Sequence, residues 1–138
     1  MADGAHILVV EDDRDLRESL GDALRLEGYD VVCVEHGEAA LRHLATGARP
    51  CVILLDLMMP VMDGWAFLSA CRADPRCREI PIVVMSAAYD LHKHFKQLTA
   101  QGVRAVVAKP FDLQVLLALV QHYAPLDPQR SEDRGSSG

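Results

Sequence analysis

The chain is punctuated by short apolar runs that each stop on a polar residue. Ile7-Leu-Val-Val10 runs straight into Glu11-Asp12-Asp13, and Cys51-Val-Ile-Leu-Leu55 closes on Asp56. Ile82-Val-Val-Met85 ends in Ser86-Ala87, and Ala105-Val-Val-Ala108 ends in Lys109-Pro110. Segments of helical period separate them. Strand-length apolar runs alternating with amphipathic helices predict βαβ units, and so an α/β fold on a parallel sheet. Open sheets of this kind place their ligands at the carboxyl ends of the strands. The pattern therefore brings an acidic cluster, a lone Asp, a hydroxyl and an ammonium to one sheet edge. That set of groups suits Mg²⁺-assisted phosphoryl chemistry on Asp56.

The spacing predicts a first strand over 7–10, then a helix with Leu16, Leu20, Ala23, Leu24 and Leu26 on its inner side, stopped by Gly28. A second strand follows over 31–34, and a second helix over 37–45 carries Ala40, Leu41 and Leu44. The third strand, 51–55, is apolar throughout, which places it centrally with both faces buried. A third helix over 65–72 ends at Asp74-Pro75, with Trp65 anchoring it against the sheet. The remaining pairs are a strand over 82–85 with a helix over 91–100, and a strand over 103–108 with a helix over 113–123 capped by Asp112. Right-handed crossovers then cover both sheet faces with helices. From Ala124 onward Pro, Asp, Ser, Glu, Arg and Gly dominate, a composition that buries little apolar area. The folded domain is expected over 5–123, with 124–138 a disordered tail whose Gly135-Ser-Ser-Gly138 end is a linker stub or cloning remnant.

The 138 residues suffice for one domain with a sizeable core. The net charge of −6 is spread without any stripe of Lys or Arg, which argues against direct nucleic-acid binding. No apolar stretch nears the ~20 residues of a membrane span, and the N-terminus lacks a signal-peptide core. A cytoplasmic protein with no membrane partner is expected. The four cysteines Cys33, Cys51, Cys71 and Cys77 form no CxxC pair and read as reduced thiols, although Cys71 and Cys77 could approach across the Asp74-Pro75 turn.

Taken in order, Ile7-Leu-Val-Val-Glu-Asp-Asp13, Leu55-Asp-Leu-Met-Met-Pro-Val-Met-Asp-Gly64, Met85-Ser-Ala87 and Lys109-Pro-Phe111 resemble the receiver domains of two-component response regulators. The resemblance covers about residues 5–123. It implies a doubly wound, flavodoxin-like sheet of five parallel strands in the order 2-1-3-4-5, with five helices. It also implies a signalling domain, not an enzyme beyond its own phosphorylation and dephosphorylation. Asp56 would be the phosphoacceptor, served by a histidine kinase or phosphotransfer protein. A carboxylate is a weak nucleophile toward phosphorus and needs neighbours that neutralise the incoming charge.

Aligned on the Val9-Val10 pair, Glu11 and Asp12 are the family's acidic residues. Asp12 would bind Mg²⁺ directly and Glu11 through a water, with Asp56 and the backbone carbonyl of Met58 as further ligands. Asp13 divides evenly between a metal role and capping the first helix. Ser86 would hydrogen-bond a phosphoryl oxygen, with the small Ala87 leaving room. Lys109 would pair with Asp56 and then with the phosphate. By the same resemblance Lys109-Pro110 is a cis peptide.

Two departures stand out. Receivers commonly carry Tyr or Phe three residues before the Lys, where this chain has Val106. The two positions that tune phosphate lifetime in the family are Met58 and Ala88, neither able to orient water, so a long-lived phospho-Asp56 is expected.

Among other chemistries, a haloacid dehalogenase-type phosphatase would need an Asp where Met58 stands. A nucleotide or flavin binder would want glycines after the first strand, where Glu11-Asp12-Asp13-Arg14 has none. A receiver-shaped interaction module that works without phosphorylation is the remaining alternative, kept by Val106. The basic stretch His92, Lys93, His94 and Lys96 reads as a solvated or partner-facing surface. The output, whether a downstream protein or a domain of a longer chain, is unspecified. Homodimerisation through the fourth and fifth helices is allowed but demanded by no residue.

Overall fold

The protein is described here from a computed structural model, which covers residues 6–59 and 62–126. Strands and helices alternate along it: β1 (Ile7–Val10), α1 (Arg14–Leu26), β2 (Val31–Val34), α2 (Gly37–Ala45), β3 (Val52–Asp56), α3 (Gly64–Ala73), β4 (Ile82–Ala87), α4 (Ala88–Ala100), β5 (Ala105–Lys109) and α5 (Leu113–Tyr123). The strands form one parallel sheet in the order β2-β1-β3-β4-β5, the expected doubly wound arrangement.

The apolar runs hide a period of two that only the pleat reveals. Leu8, Val10, Ile53, Leu55, Ile82 and Val84 face one side, with Ala40 and Leu44 of α2, Phe67 and Leu68 of α3, and Leu91 and Leu98 of α4. Ile7, Val9, Val52, Leu54, Val83 and Met85 face the other, with Leu20 and Leu24 of α1 and Leu116, Leu117 and Val120 of α5. Every residue of β3 is buried, because helices cover both of its faces.

Side-chain caps start every helix but α4. Asp13 accepts from the Leu16 N–H (3.2 Å), Asp63 from Ala66 (2.9 Å) and Asp112 from Gln114 (2.8 Å). Asp13 thus takes the capping role of its two. Gly28, at φ 106°, lets the chain leave α1 in a left-handed turn.

Several expectations change. Leu26 is 88 % exposed, because two positions past the buried Leu24 it falls on the far face of α1. β4 runs on to Ala87, so Ser86 is a strand residue, and α4 begins at Ala88, before the expected Leu91. β5 begins at Ala105, after the expected start at Val103. Cys71 and Cys77 are disulfide-bonded, correcting the expectation of four reduced thiols. The turn from Asp74 carries the chain back so that the two Cα atoms stand 5.1 Å apart, and both side chains are buried in the core that also holds Leu68 and Ile80. Trp65 does pack on the core, but its ring also meets His94 edge-on at 5.2 Å, where α4 departs from helical geometry. At the C-terminal side packing extends past Tyr123: Ala124 is buried and its carbonyl accepts from Tyr29 Oη at 2.7 Å. The rest of the expected tail, 127–138, and residue 5 lie outside the described residues.

Candidate functional site

The site assembles where β1, β3, β4 and β5 end. Glu11 continues β1 for one more rung, its N–H donating to the Val34 carbonyl at 3.1 Å. That rung turns its carboxylate into the sheet edge, where it is fully buried. Glu11 Oε2 accepts from the Asp13 N–H (3.1 Å) and Oε1 from Lys109 Nζ (2.6 Å).

Asp56 is the last residue of β3 and is 4 % exposed. Its Oδ1 accepts from the Met58 N–H at 3.2 Å, and its Oδ2 lies 3.5 Å from Lys109 Nζ. The strand end is held on both sides. The Leu57 N–H donates to the Met85 carbonyl, and the Gly64 N–H donates to the Leu57 carbonyl at 2.8 Å. A Cβ at position 64 would come within 2.7 Å of Leu57 Cα, so glycine is what lets α3 start this close to Asp56.

Asp12 is exposed at the mouth, and one carboxylate oxygen from each of Glu11, Asp12 and Asp56 falls within 4.8 Å of the others. Ser86 is buried in β4, one register step beyond Met85, the partner of Asp56. Lys109 lies opposite Ala87, and its peptide to Pro110 is cis. The Met58 side chain points out and is 57 % exposed.

Gathering carboxylates here shifts the protonation of Asp56 and Asp12. Burial, then the hydrogen bond shared with Asp12 and the charge of Glu11, push Asp56 up to about 7, with Lys109 pulling the other way. Asp12 moves down: burial opposes this, but hydrogen bonds from Asp56 and Glu11 outweigh it. Asp56 thus keeps its proton to higher pH than Asp12 does. Lys109 moves up, since Glu11 and Asp56 overcome the cost of its burial.

An all-oxygen donor set with more negative charge than Lys109 neutralises fits a hard dication such as Mg²⁺. Glu11, Asp12 and Asp56 are the side chains that could hold it. The sequence-predicted residues Glu11, Asp12, Asp56, Ser86 and Lys109 all come to this edge, and Met58 follows on the same turn.

One contact could not be read from the sequence. Arg17 Nη1, from the first turns of α1, donates to the carbonyls of Glu11 (2.9 Å) and Asp12 (3.3 Å). An Arg on a helix next to Glu18 reads as solvated surface, and no spacing signal marks it. Val106, at the position noted as non-aromatic, is half-buried in β5 against the α2–α4 side of the core.

Comparisons with known proteins converge. The family model described as "Response regulator receiver domain" matches residues 7–121. The response regulator protein FleR of Pseudomonas aeruginosa is 40 % identical over 131 residues, covering 95 % of this chain and 27 % of FleR. The transcriptional regulatory protein PrrA of Mycobacterium leprae is 40 % identical over 115 residues, 83 % of this chain and 48 % of PrrA. The chain therefore spans between about a quarter and a half of these relatives. Among solved structures, the chemotaxis response regulator CheY4 of Vibrio cholerae superposes with a TM-score of 0.78 at 31 % identity, over 86 % of this chain and 98 % of that one. The receiver domain of a sensor histidine kinase from Pseudomonas aeruginosa, solved with a magnesium ion coordinated in its active site cleft, gives 0.76 at 32 % identity, over 87 % and 97 %.

Proposed function

The chain belongs to the response regulator receiver domain family, and on that premise we propose that Asp56 accepts a phosphoryl group from a phosphohistidine of a kinase or phosphotransfer protein. The observation that carries this reading is the buried Asp56 carboxylate at the end of β3, with the Lys109 ammonium lying against both it and Glu11.

In the proposed step, an Asp56 carboxylate oxygen forms the new O–P bond as the N–P bond to the donor histidine breaks, and the freed imidazole takes a proton from solvent. Asp56 must be ionised to attack, so any proton it holds leaves before the O–P bond forms. Mg²⁺, held by Asp12, Asp56 and the Met58 carbonyl and through water by Glu11, would neutralise charge on the phosphoryl oxygens. The Lys109 ammonium supplies a second positive charge on the Asp56 side, and the Ser86 hydroxyl donates to a phosphoryl oxygen.

The output rests on the same reading. Donation by Ser86 would draw the β4–α4 junction toward Asp56 and alter the face formed by α4 and β5. That face presents exposed Tyr89 and Phe95 beside Lys93 and Lys96. A downstream protein or domain reads the change, in the cytoplasm. Among the described residues no helix is long and apolar enough to cross a membrane.

The test is intact-protein mass after incubation with acetyl phosphate, with and without Mg²⁺, beside Asp56→Asn. One phosphoryl adduct that needs both Mg²⁺ and Asp56 is expected. A folded protein that gains no adduct would leave the phosphorylation-independent interaction module as the reading, the alternative that Val106 keeps open.

A further inference from the structure

We propose that Arg17 is a positioning residue for the metal site, locking the loop that aims Asp12 and Glu11; this rests on the receiver reading above. The Glu11-Asp12-Asp13 loop carries two of the three clustered carboxylates. Asp13 faces the other way, its Oδ1 engaged with the Leu16 N–H. Only the Arg17 guanidinium reaches two successive loop carbonyls, Glu11 at 2.9 Å and Asp12 at 3.3 Å, among the described residues. Fixing those two carbonyls sets the peptide planes on both sides of Asp12, and hence the direction in which its carboxylate leaves the chain.

Arg17 is itself anchored. Its own N–H donates to the Asp13 carbonyl at 2.9 Å, and its carbonyl is approached by the Cys33 thiol at 3.8 Å. Its side chain borders an open cavity of about 280 Å³ lined also by Cys33, Val34, Glu35 and Ala39. Packing therefore does not wedge it in place, and the two carbonyl contacts are what orient it. Neither carbonyl is free to turn toward solvent while the guanidinium spans them.

Simple electrostatics predicts the opposite sign for its removal. A guanidinium near three carboxylates repels a dication, so deleting only its charge would tighten Mg²⁺ binding. A positioning role predicts weaker binding, since groups behind metal ligands typically contribute ~10–100-fold to affinity. Arg14 provides the internal control. It carries the same charge in the same turn of α1, but its guanidinium pairs with Glu18 at 3.1 Å in solvent.

The experiment is a calorimetric Mg²⁺ titration of wild type, Arg17→Gln, Arg17→Lys and Arg14→Gln, with the Mg²⁺-induced rise in Tm as a second readout. Arg17→Gln should weaken Mg²⁺ binding by about tenfold, Arg17→Lys by less, and Arg14→Gln should leave it unchanged or slightly tighter. Should Arg17→Gln not fold, the comparison of Arg17→Lys with Arg14→Gln decides. Binding by the Arg17 variants within twofold of Arg14→Gln, or tighter than wild type, would overturn the inference. Wild-type protein that binds no Mg²⁺ would instead sink the receiver reading, so the two failures are distinguishable.

Discussion

Lys109 Nζ lies 2.6 Å from Glu11 Oε1, closer than the 3.5 Å to Asp56, and these residues come from strand ends 98 positions apart. The ammonium therefore compensates a fully buried carboxylate as well as the phosphoacceptor. Without an ion in the site, its removal leaves two buried acids with no cation. Lys109→Met should lower metal-free stability by roughly 3 kcal/mol, the usual penalty for breaking one side of a buried pair. Mg²⁺ should recover more stability in the variant than in wild type. Urea denaturation of both proteins with and without Mg²⁺ measures this, and equal Mg²⁺ effects would contradict it.

Metal-free stability should fall as pH rises. Asp56 titrates at about 7 in the folded chain against 3.8 in the unfolded one, so between those values the folded state binds more protons. Stability that is full below pH 4 is then lost progressively up to pH 7, on the order of 2–4 kcal/mol. Asp12, moved down, contributes in the opposite sense only at acid pH and is exposed, which limits its weight. Denaturation from pH 4 to 8 in EDTA should show this slope in wild type, and Asp56→Asn should flatten it.

Phospho-Asp56 should be long-lived. Met58 presents a thioether and Ala88 a methyl group near the strand ends, and neither can align a water against phosphorus. Following loss of the adduct by mass after donor removal, Met58→Asn should shorten its lifetime by about tenfold, since an amide can orient that water. A wild-type adduct lost as quickly as in the variant would refute the assignment.

Tyr29→Phe should destabilise the domain by about 1–2 kcal/mol without changing phosphorylation. The Tyr29 hydroxyl is the partner of the buried Ala124 carbonyl at 2.7 Å, and burial pushes its own ionisation up to about 12. Thermal melts of the two proteins give the difference.

Thiol counting tests the Cys71–Cys77 pairing. Alkylation in denaturant without reductant should label only Cys33 and Cys51, and all four after reduction. Reduction should lower stability by about 2 kcal/mol for so short a loop. Four labels before reduction would remove the bond.

The strand-end residues were legible because each closes an apolar run, and the run itself marks where a buried strand must surface. Asp13 and Asp112 were equally local, since a cap needs only its own next turn. Leu26 was misread against its own helical period, which puts it on the face opposite Leu20 and Leu24. The Cys71–Cys77 bond depended on how the chain turns after Asp74, which their separation allowed but did not require.

Sequence alone therefore determined which elements form and which side chains stand at their ends, since both follow from periodicity and from the polarity of adjacent residues. Tertiary structure decided the partnerships: Glu11 with Lys109, Arg17 with the carbonyls of Glu11 and Asp12, and Trp65 with His94. Distances between separate elements depend on register, helix rotation and loop path together, and no local pattern encodes their sum. The raised protonation of Asp56 belongs with them, because it arises from burial and from charges delivered by other strands.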